Sequence, residues 1–349
     1  MSYKIAVDAM GGDNAPTEII KGAIMAMKED RTIEIIFVGD EDIIRNELKE
    51  NGYNKEVTIV HTDQSIAMDE SPKKALQEKP KASIVEATRL LHRGDAEALV
   101  SSGSTGATIL AAAQNLDMVE GLERSGLAAI YPTARFDKST SGVSLILDVG
   151  ATLHCSSKQL IHFAFMGSYY VSHILGIENP RVALLNIGEE ETKGGQILTT
   201  TYRYLKNIEN INFIGNVEGK DIPYGVADVV VTDGFVGNIA LKMMEGVGSL
   251  LKQTGKYAFK KKLTWKLGLV FLASGLKRLK QKTDYSEYGG APILGFEKLV
   301  IKAHGRSNAK AISNAIKVAK RSIEEDICTH ISDSIIAFNK KHKIDFLDI

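Results

Sequence analysis

Four short loops concentrate the side chains that could bind an anion or move a proton. In HGRSN, His304 exchanges protons near neutrality, Arg306 presents a planar fork to an oxyanion, and Ser307 adds donors where a helix begins. In SSGSTG, Gly103, Ser104, Thr105 and Gly106 would set backbone N–H groups and hydroxyls at a helix N-terminus. That arrangement suits phosphate, and it equally suits a tight turn with hydroxyl caps. In GEEETKGG, Lys193 beside two glycines could meet a phosphate or a developing oxyanion, or be solvated like most lysines. In DGFVGN, Asp233 and Asn238 are polar endpoints around Phe235, suited to orienting a ligand at a pocket wall, although Asp233 could simply cap a helix.

A fifth turn, from Asp8 to Asn14, carries Asp8 and Asp13 around Gly11 and Gly12. Two carboxylates near a phosphate loop could hold a divalent metal, but orienting Lys193 or a backbone amide is the preferred role, and no metal or other cofactor is expected. No P-loop and no G-x-G-x-x-G announces a nucleotide. Cys155 follows His154 without any nucleophile motif and reads as a small buried hydrophobe.

The elements that must position these loops follow one grammar. A short β-branched run stops at a glycine- or serine-rich turn and passes into ten or more residues of helical periodicity, as in parallel βαβ units. Tyr3 to Ala9 leads through MGGDNAP into Thr17 to Lys28, with Pro16 suited to a helix's first turn, and Ile33 to Val38 leads through GDE into another helix. Ala98 to Ser101, Val182 to Ile187, Val229 to Thr232 and Val300 to Ala303 precede the four loops named first. Runs such as VALLNI lack in–out alternation, as expected where helices cover both faces of a sheet. The pattern predicts a doubly wound, mostly parallel α/β fold with ligands at the carboxyl ends of the strands. No linker-like tract divides the chain, so residues 1–349 are expected to form a single unit.

Composition sets the boundaries. At 349 residues, 44% hydrophobic and 25% charged, the chain has globular values, and Lys plus Arg equals Asp plus Glu at 43 each. There is no net field to attract nucleic acid. Two cysteines, Cys155 and Cys328, lack metal spacing and suit a reducing compartment, so a cytoplasmic protein is expected, without a leader or a membrane span. One stretch departs from the rest. Lys252 to Lys282 holds ten basic residues and no acidic ones around LGLVFLASGL, where Trp265, Leu269, Leu272, Leu276 and Leu279 form a narrow helical stripe beside Phe271. A protruding helical segment over 250–284 is expected, in contact with an anionic membrane, an acidic partner or a second subunit.

Taken together, AVDAMGGDNAP, SGSTGA, DVGA, NIGEEETKG, IGNVEGKDI, GVADVVVTDGFVGN, YGGAPILG and IKAHGRS, in this order and nearly end to end, resemble the PlsX-type phosphate acyltransferases. The resemblance implies transfer of a long-chain acyl group from acyl carrier protein to inorganic phosphate, giving acyl phosphate for a membrane-bound acyltransferase that acts on glycerol 3-phosphate. It also implies a homodimer and a fold similar to isocitrate and isopropylmalate dehydrogenases and to phosphotransacetylases. In that chemistry phosphate is the nucleophile, so no serine or cysteine nucleophile is needed. Gly103 to Gly106 with Arg306 and Ser307 would hold phosphate, Lys193 would offset negative charge, and His304 would accept or return a proton, with Asp233 and Asn238 orienting them and Asp8, Gly12 and Asp13 in support. Membrane contact through Trp265, Leu269, Phe271 and Leu272 is the favoured reading of the basic segment. An acyl-coenzyme A donor, an NAD-linked dehydrogenase of the same fold and a non-catalytic membrane scaffold are the rival readings.

Overall fold

The structure is a computed structural model and describes residues 2–135, 142–261 and 289–341. Its strands are β1 (Tyr3–Asp8), β2 (Ile33–Gly39), β3 (Thr58–His61), β4 (Ala98–Ser101), β5 (Gly126–Pro132), β6 (Val143–Leu147), β7 (Arg181–Leu185), β8 (Asn212–Val217), β9 (Val229–Val231), β10 (Ala291–Leu294) and β11 (Leu299–Lys302). The helices are α1 (Thr17–Glu29), α2 (Glu41–Glu50), α3 (Pro72–Glu78), α4 (Ser83–Arg93), α5 (Thr105–Asn115), α6 (Ser157–Leu175), α7 (Gly195–Lys206), α8 (Gly234–Lys261), α9 (Ala309–Glu324) and α10 (Ile327–Lys341). Among the described residues the strands form one sheet in the order β3-β2-β1-β4-β11-β10-β5-β6-β9-β7-β8.

The sheet reverses direction at its middle. β3, β2, β1, β4 and β11 are mutually parallel, and so are β6, β9, β7 and β8. Between them, the antiparallel pairings of β10 with β11, β10 with β5, and β5 with β6 turn the second block against the first. The expected mostly parallel, helix-covered sheet is present, but in two blocks of opposite sense.

Burial on both faces explains the continuous apolar strands. On β1, Ile5 and Val7 pack with α1 and α9, while Ala6 faces the cluster containing α4 and α5. On β6, Leu145 and Leu147 meet α6 and α10, while Ile146 faces the other layer. The helices start where local chemistry directs them. Asp40 caps α2 by accepting from the Ile43 N–H at 3.0 Å, and Ser156 with Gln159 forms a reciprocal capping box on α6. Pro16 lies just before α1, at its N-cap, rather than within its first turn.

The largest departure from the sequence reading is at DGFVGN. Only Asp233 lies outside a helix; Gly234 to Asn238 are the opening turns of α8. The Asp233 Oδ1 accepts from the Val236 N–H at 2.8 Å, fixing the start. The expected 250–284 protrusion begins as the exposed end of α8, where Leu250, Leu251 and Tyr257 face outward. Trp265, Leu269, Phe271 and Leu272 lie outside the described residues. None of the described helices is long and apolar enough to cross a membrane.

Candidate active site

A cleft of about 450 Å³ opens where the two blocks of the sheet meet. Its polar end is built by the first block. Asp13 comes from the turn after β1, Thr105 and Gly106 from the start of α5 after β4, and Lys302, His304 and Ser307 from the end of β11 and the loop beyond it. Its other wall is apolar: Leu127, Ala129 and Ile130 from β5, Val149 after β6, Leu241 from α8 and Ala291 from β10. α8 crosses between the two, contributing Asn238, Lys242 and Glu245.

The polar end has the donor chemistry of an anion site. α5 begins at Thr105 without a side-chain cap from Ser104, so the helix presents first-turn amides. Gly103 lies behind them, its N–H donating to the Ser101 Oγ at 3.1 Å, and a Cβ on Gly11 would lie 2.9 Å from its Cα. Gly12 adopts φ +116 with Ser102 packed against it, so the first turn and the phosphate-type loop approach at a distance that side chains would prevent. At His304 the Nδ1 accepts from the Arg306 N–H at 3.1 Å, which leaves the proton of the neutral ring on Nε2. Partial desolvation holds this imidazole below its usual range; Glu245 opposes the shift, and Lys242, Lys302 and Arg306 add to it.

Asp148 organises the opposite wall. Its Oδ1 accepts from the N–H groups of Ala151 at 2.7 Å, Gly150 at 3.0 Å and Leu127 at 3.3 Å, and its Oδ2 accepts from the Thr152 N–H at 2.9 Å and Oγ1 at 2.6 Å. The loop after β6 is thereby wound around one buried carboxylate, and α8 docks on it through Gly234 and Gly237. Cys155 is buried beside Thr152, and burial pushes its thiol up to about 11, a poor state for a nucleophile.

The structure therefore gathers Asp13, Thr105, Gly106, Asn238, His304 and Ser307 around one cleft, with Gly12, Gly103 and Ser104 in the turns that shape it. Other expected residues are placed differently. Arg306 extends into solvent with its Nε 3.9 Å from the Asp13 carboxylate. Asp233 caps α8. Lys193 is exposed on the loop after β7; its backbone N–H donates to Glu190 O at 3.1 Å, and it does not line the cleft. Asp8 lies beneath the cleft rather than in it. The sequence reading missed Lys302, a buried cation in the cleft floor. Its signal was available: within LVIKA the lysine falls two residues after Val300, on the strand's core face.

This sheet, with a cleft between two oppositely directed parallel blocks, is the α/β architecture of the phosphotransacetylases. A phosphotransacetylase from Streptococcus pyogenes superposes over 93% of this chain and 94% of its own with a TM-score of 0.62 at 18% identity. A branched-chain phosphotransacylase from Enterococcus faecalis covers 92% and 99% with a TM-score of 0.54 at 15% identity. At those identities the likeness is one of fold. The chain belongs to the family described as "Fatty acid synthesis protein", whose model matches residues 3–330, and it is an enzyme of the acyltransferase class. Curated relatives named phosphate acyltransferase include one from Heliobacterium modesticaldum, 47% identical over 334 residues, covering 95% of this chain and 97% of its own. Another, from Thermoanaerobacter pseudethanolicus, is 44% identical over 332 residues with the same coverage of both chains.

Proposed function

We propose that the enzyme transfers a fatty acyl group from acyl carrier protein to inorganic phosphate, forming acyl phosphate for phospholipid synthesis. The observation that carries this reading is the two-ended cleft: amides, hydroxyls, an imidazole and a lysine at one end, and an aliphatic wall at the other. The polar end suits phosphate and the apolar wall suits an acyl chain. Family membership and the names of the relatives support the same chemistry.

In the proposed reaction a phosphate oxygen attacks the thioester carbonyl carbon, the carbonyl oxygen becomes a tetrahedral oxyanion, and the C–S bond then breaks. The phosphate's proton ends on the departing thiol. The first-turn amides of α5 and Ser307 hold the phosphate, and His304, protonated on Nε2 when neutral, stands to donate toward the oxyanion or thiolate. Asn238 orients the carbonyl group from the start of α8. Lys193 lies at the same sheet edge as the loop after β6, because β7 is separated from β6 only by the parallel β9. In this reading its ammonium offsets negative charge on the phosphate or the oxyanion from that edge.

The exposed apolar positions Met243, Val247, Leu250 and Leu251 recur at helical spacing along α8 and lead into the basic 252–282 stretch. They support a homodimeric enzyme lying on an anionic membrane surface, where the acyl phosphate passes to a membrane-bound glycerol 3-phosphate acyltransferase. The test combines the protein with acyl-[acyl carrier protein] and phosphate. Thiol release that requires phosphate, with acyl phosphate as product and no acylated protein, is the expected outcome. Release without phosphate, a preference for acyl-coenzyme A, or nicotinamide reduction would overturn the reading.

A further inference from the structure

Three parallel strands of the first block end in register. Ala6 of β1 pairs with Leu99 of β4, and Leu99 pairs with Val300 of β11, all on the apolar face covered by α4 and α5. Two residues further along each strand the side chains return to that face. The next row is therefore Asp8, Ser101 and Lys302, with Lys302 paired directly to Ser101. An apolar row is thus capped by a polar one at the carboxyl edge, under the cleft.

The row has unequal members. Asp8 is 1% exposed and accepts from the Ser83 Oγ at 2.6 Å and the Ser101 Oγ at 2.7 Å. Lys302 is 5% exposed and lines the cleft, and among the described residues its Nζ donates only to the Ala303 carbonyl. An ammonium carries three donors, so two are left without a protein acceptor among the described residues, on a side chain more than nine-tenths buried. The other lysine lining the cleft, Lys242, is solvent-facing and paired with Glu245 at 3.1 Å. A buried cation with unused donors, beside the open first-turn amides of α5, is the combination an oxyanion requires.

We infer that Lys302 is the cation on which inorganic phosphate binds in this cleft, and that Asp8, acting through the row, is its positioning residue. The inference rests on the proposed phosphate-dependent reaction and adds a residue to it. Burial lowers the Lys302 ammonium to about 8, against the opposing attraction of Asp8 and Asp13 and with the repulsion of Lys242. Phosphate binding should therefore weaken as pH rises through about 8.

The experiment measures phosphate binding directly, by phosphorus-31 line broadening, together with the KM values for phosphate and for the acyl thioester. Lys302→Met should weaken phosphate binding roughly tenfold to a hundredfold while leaving the KM for the thioester within a few-fold. Lys302→Arg should retain binding and lose the alkaline limb, since a guanidinium stays charged. Asp8→Asn should move that limb to lower pH. If Lys302→Met fails to fold because the buried Asp8 loses the cation near it, the double variant Asp8→Asn/Lys302→Met removes both charges and gives the same readout. A folded variant without Lys302 that binds phosphate like the wild type would overturn the inference, as would wild-type protein that binds none. Lys302-dependent phosphate binding by an enzyme that transfers no acyl group would instead leave the inference standing and remove the proposed reaction.

Discussion

A Cβ on Gly237 would sit 1.9 Å from the backbone carbonyl oxygen of Asp148, so the first turn of α8 touches the loop after β6 with no room for any side chain. That contact sets where Asn238 and Leu241 enter the cleft. Gly237→Ala is expected to cost about 2–3 kcal/mol by overpacking and to lower turnover, because the start of α8 must lift away. Gly246, on the same helix, has open space within 4 Å of where a methyl group would stand, and Gly246→Ala should stabilise by about 0.5–1 kcal/mol. Denaturant midpoints for the pair decide this: equal effects would mean that α8 is not seated on that carbonyl.

Asp148 should be intolerant of its own amide. Its two oxygens take five donors, and Asn supplies only one oxygen, leaving donors on Gly150, Ala151 or Thr152 opposed to an NH₂ group. Asp148→Asn is expected to destabilise by about 1–3 kcal/mol, with accelerated amide exchange at residues 150–152. Unchanged exchange there would show that the loop is held by something else.

Lys193 is the case in which stability and activity should separate. Among the described residues its ammonium has no partner, so Lys193→Ala should leave the melting temperature unchanged. Turnover should fall roughly a hundredfold, the scale of losing one oxyanion donor. Wild-type turnover by the folded variant would remove Lys193 from the mechanism and leave Lys302 as its buried cation.

The residues show why parts of this structure were legible in sequence. β1, β4 and β9 end within a residue or two of their expected limits, because uninterrupted Val, Ile, Leu and Ala runs meet turn residues there. The HGRSN and SSGSTG loops do share a cleft, since both follow neighbouring parallel strands of one block. What escaped depends on long-range contacts. Gly234 and Gly237 read as loop glycines because the reason for them, the Asp148–Thr152 loop packed against α8, lies more than 80 positions away. The reversal of the sheet rests on β10, four residues long, and on pairings of β5 that no local pattern reveals. Lys302 lies within the expected strand Val300 to Ala303, where alternation alone puts it on the face of Val300, but that this face carries a polar row beneath the cleft emerges only from the register with Ser101.

Acid stability offers a test outside the cleft. His162 on α6 is buried, with its Nε2 3.2 Å from Asn339 Oδ1 on α10, its Nδ1 without a partner among the described residues, and its ring edge-on to Phe338. Burial lowers this imidazole to about 4, so the native protein keeps it neutral while the unfolded chain protonates near 6.5. Between those values the unfolded state binds the extra proton. The stabilisation is complete above pH 6.5, declines as pH falls, and is gone near pH 4, on the order of 2 kcal/mol having been lost by pH 5. His162→Leu should flatten this part of the stability profile while leaving turnover at pH 7 in place, since the residue packs on the face of the second block away from the cleft. An equally steep loss between pH 6.5 and 4 in the variant would assign acid sensitivity to other groups and leave the α6–α10 seam neutral in its effect.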